Sequence, residues 1–206
     1  MRALFVHGMG RTPLSGVPLL WRLRARGVRT GVFAYVAALE NFAAISLRLR
    51  QRLLQLAHQA GPAGYVVIGH SLGGVLLRDA LATLPPGTQL PQRIFLLGSP
   101  MQHSRLAQHL HTHIVYRALT GDPGQLLANA QRMAAIPSAA IPTTHIIGIS
   151  DFRVTANRFG NEPNDGVVAA SEAAAPAGHE EVRLPVMHTW LPSSALVSAA
   201  ILARIK

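Results

Sequence analysis

The sequence contains no cysteine. That excludes disulfides, thiolate metal sites and a cysteine nucleophile, and it fits a reducing compartment. Charge is also sparse: Asp, Glu, Lys and Arg make up 14% of the residues, against 49% hydrophobic. So apolar a chain can build a sizeable core and is not disordered. Acids are scarcer than bases, 9 against 19, and every base except Lys206 is an arginine. No uncharged apolar run approaches the roughly 18 residues of a membrane span. Met1-Arg2 lead into only four apolar residues, Ala3-Leu4-Phe5-Val6, fewer than a signal peptide uses. A cytoplasmic location is the expectation.

At 206 residues the chain reads as one domain, 1–206. Its charge is uneven: residues 1–52 carry nine arginines and a single acid, Glu40. Such a region attracts nucleic acid, anionic lipid or an acidic partner, or is simply a solvated arginine face. The arginines lie among apolar helical positions without interleaved aromatics. A nucleic-acid partner is therefore not expected, and an anionic membrane surface stays open as a partner.

Short apolar runs at 3–6, 31–35, 65–68, 94–97 and 145–149 alternate with helical patterns. Runs of this length suit strands buried on both faces of a parallel sheet. Phe42, Ile45, Leu49, Leu53 and Leu56 recur at helical spacing, residues 14–26 and 72–84 follow the same period, and Val197, Ile201 and Ile205 lie four apart. The alternation predicts a doubly wound, mostly parallel α/β sheet of about six strands. Residues 99–141 are the least regular stretch, expected to run over one sheet edge as a small cap; residues 150–164 form a second polar loop.

The strand at 65–68 runs into Gly69-His70-Ser71-Leu72-Gly73-Gly74 and then a helix. This is G-x-S-x-G in strand–turn–helix context. A serine on so sharp a turn projects its hydroxyl above the sheet, and glycines two residues either side remove side chains that would clash. The following helix aims its N–H groups at the site and favours developing negative charge. His7-Gly8-Met9-Gly10 directly follows the first strand. There the N–H of Met9 pairs with that of Leu72 as an expected oxyanion hole.

Val6-His7-Gly8-Met9-Gly10 together with the Ser71 segment resembles the α/β-hydrolases, specifically the compact bacterial lipases and esterases. Asn164-Asp165-Gly166-Val167-Val168 is similar to the acid-bearing segment of bacterial triacylglycerol lipases. His188 follows after a strand-like stretch at 181–186, and Gly98-Ser99-Pro100 resembles the Gly-Thr/Ser-Pro found there. The resemblance implies the α/β-hydrolase fold and a Ser71–Asp165–His188 triad in the chain order of that fold. Calcium-binding relatives carry an acid just after the histidine, where this chain has Thr189-Trp190. Neither a metal nor a cofactor is expected.

His188 would take the Ser71 proton, and Asp165 would fix its tautomer. Asp151, directly after a strand, is the rival acid; the Asn-Asp-Gly context and the short reach to His188 favour Asp165. Of the other histidines, His179 falls at the wrong end of the last strand, His58 lies on a helix, His70 is structural beside the serine, and His7 braces the oxyanion loop. His103, His109, His111 and His113 raise a metal question, but Asp122 is the nearest carboxylate and a solvated cap is the better reading. The expected function is hydrolysis of carboxylic esters through an acyl-enzyme. Met101, Leu106, Leu110, Ile114 and Leu119 would wall a shallow acyl pocket for short to medium chains. A phospholipase or deacylase at anionic lipid surfaces, a thioesterase or amidase, and a non-catalytic binding module are the alternatives.

Overall fold

The computed structural model describes residues 1–138, 140–150 and 159–205. Six strands form one wholly parallel sheet: β1 (Arg2–Val6), β2 (Arg29–Phe33), β3 (Tyr65–His70), β4 (Arg93–Leu97), β5 (Thr143–Gly148) and β6 (Glu180–Leu184), in the order β2-β1-β3-β4-β5-β6. The expected runs each hold a strand, with ends shifted by up to two residues. This is the α/β-hydrolase fold.

Successive side chains leave a strand on opposite faces, and the two faces bury separate clusters. Leu4, Val6, Val67, Ile94 and Leu96 pack under α2 (Phe42–Ala60) and α3 (Leu72–Ala82). Phe5, Val66, Ile68, Phe95 and Leu97 face α1 (Val17–Arg24) and the last helix, α8 (Ala195–Leu202). Each buried Leu, Ile or Phe contributes about 1.5–3 kcal/mol, and the 3, 4, 4, 3 spacing of Phe42, Ile45, Leu49, Leu53 and Leu56 puts all five on the buried side of α2. Asn41 caps that helix, accepting from Ala44 N–H at 2.8 Å, and Gly61 at φ 56° ends it.

Segment 99–141 is more regular than its sequence suggests. It holds α4 (Arg105–Leu110), α5 (Ile114–Ala128, kinked at Gly121) and α6 (Ala130–Ala134). Ala107, Leu126, Leu127, Met133, Ile136 and Ile141 join the α2–α3 cluster, so much of the stretch belongs to the core of that face. The 14–26 pattern divides into a 3-10 turn at Pro13–Gly16 and α1. A short α7 (Ala170–Ala173) follows the Asp165 loop, and a 3-10 turn at His188–Ser193 leads into α8. Among the described residues, no helix is long and apolar enough to cross a membrane.

In a sheet of this order the connection from β1 runs one way along the sheet, to β2, and that from β3 the other way, to β4, which opens a crevice beyond the carboxyl ends of β1 and β3. The 7–13 loop and Ser71 both lie at those ends.

Candidate active site

The turn after β3 is set by its glycines. A Cβ at Gly69 would sit 2.5 Å from Gly74 Cα, and one at Gly73 would sit 2.3 Å from Val6 O. Only glycine lets α3 start this close to β1 and β3. Between them Ser71 adopts φ 52°, ψ −123°, the one non-glycine with positive φ among the described residues. Such a conformation costs of order 1–3 kcal/mol and persists where the surroundings fix it. Here they do: Ser71 N–H donates to Leu97 O at 2.9 Å, and Ser71 O accepts from Gly74 N–H at 3.0 Å.

The 7–13 loop lies across this turn, and a Cβ at Gly8 would come within 3.1 Å of Ser71 Cβ. His7 braces it. Tyr35 N–H donates to His7 Nε2 at 3.4 Å, so Nδ1 carries the proton and donates to Gly8 O at 2.9 Å. Tyr35 Oη donates to His7 O at 2.8 Å, and the two rings stack with centroids 4.3 Å apart. Burial lowers the His7 pKa below its ordinary value, keeping the ring neutral. The N–H groups of Met9 and of Leu72 find no acceptor among the described residues; Leu72 is the first residue of α3, where free N–H donors are expected.

Asp165 and His188 come together at the carboxyl edge of β5 and β6. His188 Nδ1 donates to Asp165 Oδ2 at 2.6 Å, and both side chains are buried. Asp165 Oδ1 accepts from Val167 N–H at 3.0 Å and Val168 N–H at 2.7 Å, and His188 N–H donates to Asp165 O at 2.8 Å. The Asn-Asp-Gly turn thus spends one carboxylate oxygen on the backbone and aims the other at the imidazole. With Nδ1 donating, Nε2 is left without a proton and able to accept one. Ser71 approaches this pair through its neighbour: His70 Nε2 donates to His188 O at 3.0 Å, and the two rings lie 4.8 Å apart. The Ser71 hydroxyl makes no direct hydrogen bond to His188 among the described residues, a looseness usual in unliganded sites. His70 is buried and its pKa is pushed well down, by burial first and then by the charges of His188 and Arg11.

Two glycines make room for the pair. A Cβ at Gly98, at φ 51°, would sit 2.8 Å from Asp165 Oδ2 and 3.0 Å from His188 Nδ1; one at Gly148 would sit 2.7 Å from Asp165 Cβ. Gly98-Ser99-Pro100 is visible in the sequence; Gly148 has no signal beyond ending a strand.

Asp151 lies outside the described residues. His179 sits at the start of β6, away from the site, and pairs with His145 at 3.3 Å. His109 lies on α4 and His113 just before α5, with rings 6.3 Å apart, and no three His, Asp or Glu side chains gather as a metal-binding group among the described residues. A cleft of about 520 Å³ borders the 7–13 loop, walled by Gly10, Pro13, Tyr35, Val36, Ala37 and Leu119 among others. Of the five residues expected to wall an acyl pocket only Leu119 lines it; Ile114 is exposed instead.

No family model and no curated protein matches the sequence. Solved structures do match in fold. The mature lipase BlEst2 of Bacillus licheniformis aligns with a TM-score of 0.71 at 16% identity, covering 100% of this chain and 91% of that one. A metagenomic carboxyl esterase gives 0.75 at 15% identity, covering 99% and 75%. The thioesterase RedJ of the Streptomyces coelicolor prodiginine pathway gives 0.65 at 17%, covering 100% and 90%. At these identities the likeness is one of fold.

Proposed function

We propose that this chain is a serine hydrolase of carboxylic esters that works through an acyl-enzyme. One observation carries the reading: a buried Asp165–His188 hydrogen bond of 2.6 Å at the sheet edge where Ser71 is held in a left-handed turn. His188 Nε2 takes the Ser71 proton as Oγ attacks the ester carbonyl. The N–H groups of Met9 and Leu72 receive the oxyanion, and the α3 dipole adds to them. His188 then passes the proton to the leaving alkoxide, the C–O bond breaks, and the acyl group stays on Ser71. Water, deprotonated by the same nitrogen, releases it as the acid. Asp165 holds the imidazolium. That the solved neighbours include a lipase, an esterase and a thioesterase supports hydrolysis as the reaction class. We read the chain as one domain in which 99–141 contributes, through Leu119, a wall of the cleft for the acyl or alcohol group.

A fluorophosphonate probe and a p-nitrophenyl ester series of graded chain length test this. The probe should label Ser71, and Ser71→Ala should lose both labelling and turnover with its melting temperature kept. A Ser71→Ala variant that still turns esters over would remove the mechanism. Asp165→Asn should cost turnover heavily, on the order of 10⁴ where a triad aspartate is so exchanged, and Asp151→Asn should keep most activity. The reverse ranking would move the acid to Asp151.

A further inference from the structure

The layer formed by α1, α8 and the two 3-10 turns beside them has an unusual outer surface. Leu14, Val17 and Trp21, spaced three and four apart, make one exposed stripe, 75%, 51% and 68% accessible. Their neighbours Leu19, Leu20 and Leu23 are buried against Leu191, Val197 and Ile201, so the stripe is surplus to the core. Trp190, 60% exposed, stands on the adjoining turn. That turn is tied to the same surface: Arg22 Nη1 donates to Ser193 O at 2.8 Å, and Arg11 Nη2 to Thr189 O at 3.4 Å. Both tryptophans of the chain therefore face solvent on one layer.

The charge of this layer has one sign. No acid occurs in residues 1–39 or after Glu181, and these segments build it. Arg24 and Arg26 are exposed beside the stripe. Neither they nor Arg11 and Arg22 pair with a carboxylate among the described residues. Aliphatic side chains flanked by tryptophan and arginine match the depth profile of a lipid interface: the chains enter the acyl boundary, indoles sit at the headgroups, and guanidinium groups meet phosphates. A second copy of the chain would present the same positive charge to itself across a two-fold axis.

We propose that the α1 face, through Leu14, Val17, Trp21 and Trp190 with Arg24 and Arg26, docks on an anionic bilayer. Trp190 follows His188 by two residues, so docking brings the sheet edge bearing Ser71 to the membrane. The surface stands by itself; only the access of bilayer esters to Ser71 rests on the hydrolase reading.

The test uses the full chain and vesicles of ether-linked phosphatidylglycerol and phosphatidylcholine, 3:7, beside pure phosphatidylcholine, so that binding is read without turnover. The chain should sediment with the anionic vesicles only, and its tryptophan emission should shift to the blue and resist acrylamide. Binding should fall as salt rises. Arg24→Gln/Arg26→Gln should weaken partitioning about twenty-five-fold, at about fivefold per arginine. Leu14→Ser/Trp21→Ala should weaken it about tenfold or more, with circular dichroism and melting temperature unchanged for both. Ser71→Ala should bind as the unaltered chain does, which separates docking from catalysis. Failure to bind anionic vesicles at low salt, or binding indifferent to both double variants, would overturn the proposal. So would a dimer in analytical ultracentrifugation that shields the same tryptophans.

Discussion

A methyl group at position 98 would touch the two atoms that share the shortest hydrogen bond of the site, Asp165 Oδ2 and His188 Nδ1. Gly98→Ala therefore separates geometry from chemistry, since it removes no functional group. At φ 51° the alanine itself costs about 1–2 kcal/mol, a modest loss of stability. Activity should suffer more, because a displacement near 1 Å can cost about 100-fold. Ester kinetics beside a thermal melt would check this; equal, small losses in both would show that the pair tolerates the shift. Ser71, Asp165, His188 and the N–H groups of Met9 and Leu72 could each be picked out of the sequence as candidates, because each stands in or beside a short contiguous pattern. Gly98 and Gly148 were not legible in this role. Their importance comes from what two distant loops bring against them, and no local pattern encodes that approach.

The same contrast holds for whole elements. The strands and α2 could be read because burial writes a period into the sequence, continuous for a doubly covered strand and 3.6 residues for a helix. Segment 99–141 could not, because part of its hold on the molecule is polar and long-range. Arg78, buried in α3, donates to Ile136 O at 2.7 Å, Pro137 O at 3.2 Å and Pro100 O at 3.3 Å. Burial pushes its guanidinium down to about 10 despite the nearby Asp79. One side chain thus pins both ends of the segment to α3. The Asp165 loop is pinned in the same way from α4: Arg105 pairs with Glu162 at 2.7 Å and with Glu172 at 3.3 Å, and Met101 N–H donates to Glu172 O at 2.7 Å. Arg78→Met keeps the apolar stem but strands three carbonyls. It should lower stability by about 2–4 kcal/mol, or about 10 °C in melting temperature for a chain of this size. A melt within 2 °C of the original would show that the carbonyls find other partners.

For the molecule as a whole, proton uptake sets the acid limit of stability. His145 lies inside the sheet on β5, where Nδ1 faces Ala173 O at 3.2 Å and Nε2 faces His179. Burial first, and then the charges of His179 and Arg78, push its pKa down to about 4 from the ordinary 6.5. His7 and His70 are shifted in the same direction, burial being the largest cause for each. These rings are folded as neutral groups. Between pH 6.5 and about 4 the unfolded chain takes up a proton that folded His145 refuses, so stability falls as the pH falls through that window and the loss is complete below it. Glu180 acts lower. Its bonds to Arg204, chiefly, hold its pKa at about 2, below the ordinary 4.5, so its contribution is present above 4.5 and disappears as the pH drops through about 2. The limb from pH 6.5 to 4 therefore belongs mainly to the histidines. His145→Gln removes the titrating group on the largest strand-borne contributor outside the site. The unaltered chain should lose on the order of 3 kcal/mol through His145 across this window. Urea melts at pH 7, 5.5 and 4.5 should accordingly show a shallower decline for the variant, whatever its stability at pH 7. Parallel declines for the two proteins would place the acid sensitivity at His7 and His70, the rings that hold the 7–13 loop and the backbone of His188, and activity and fold would then be lost together on acidification.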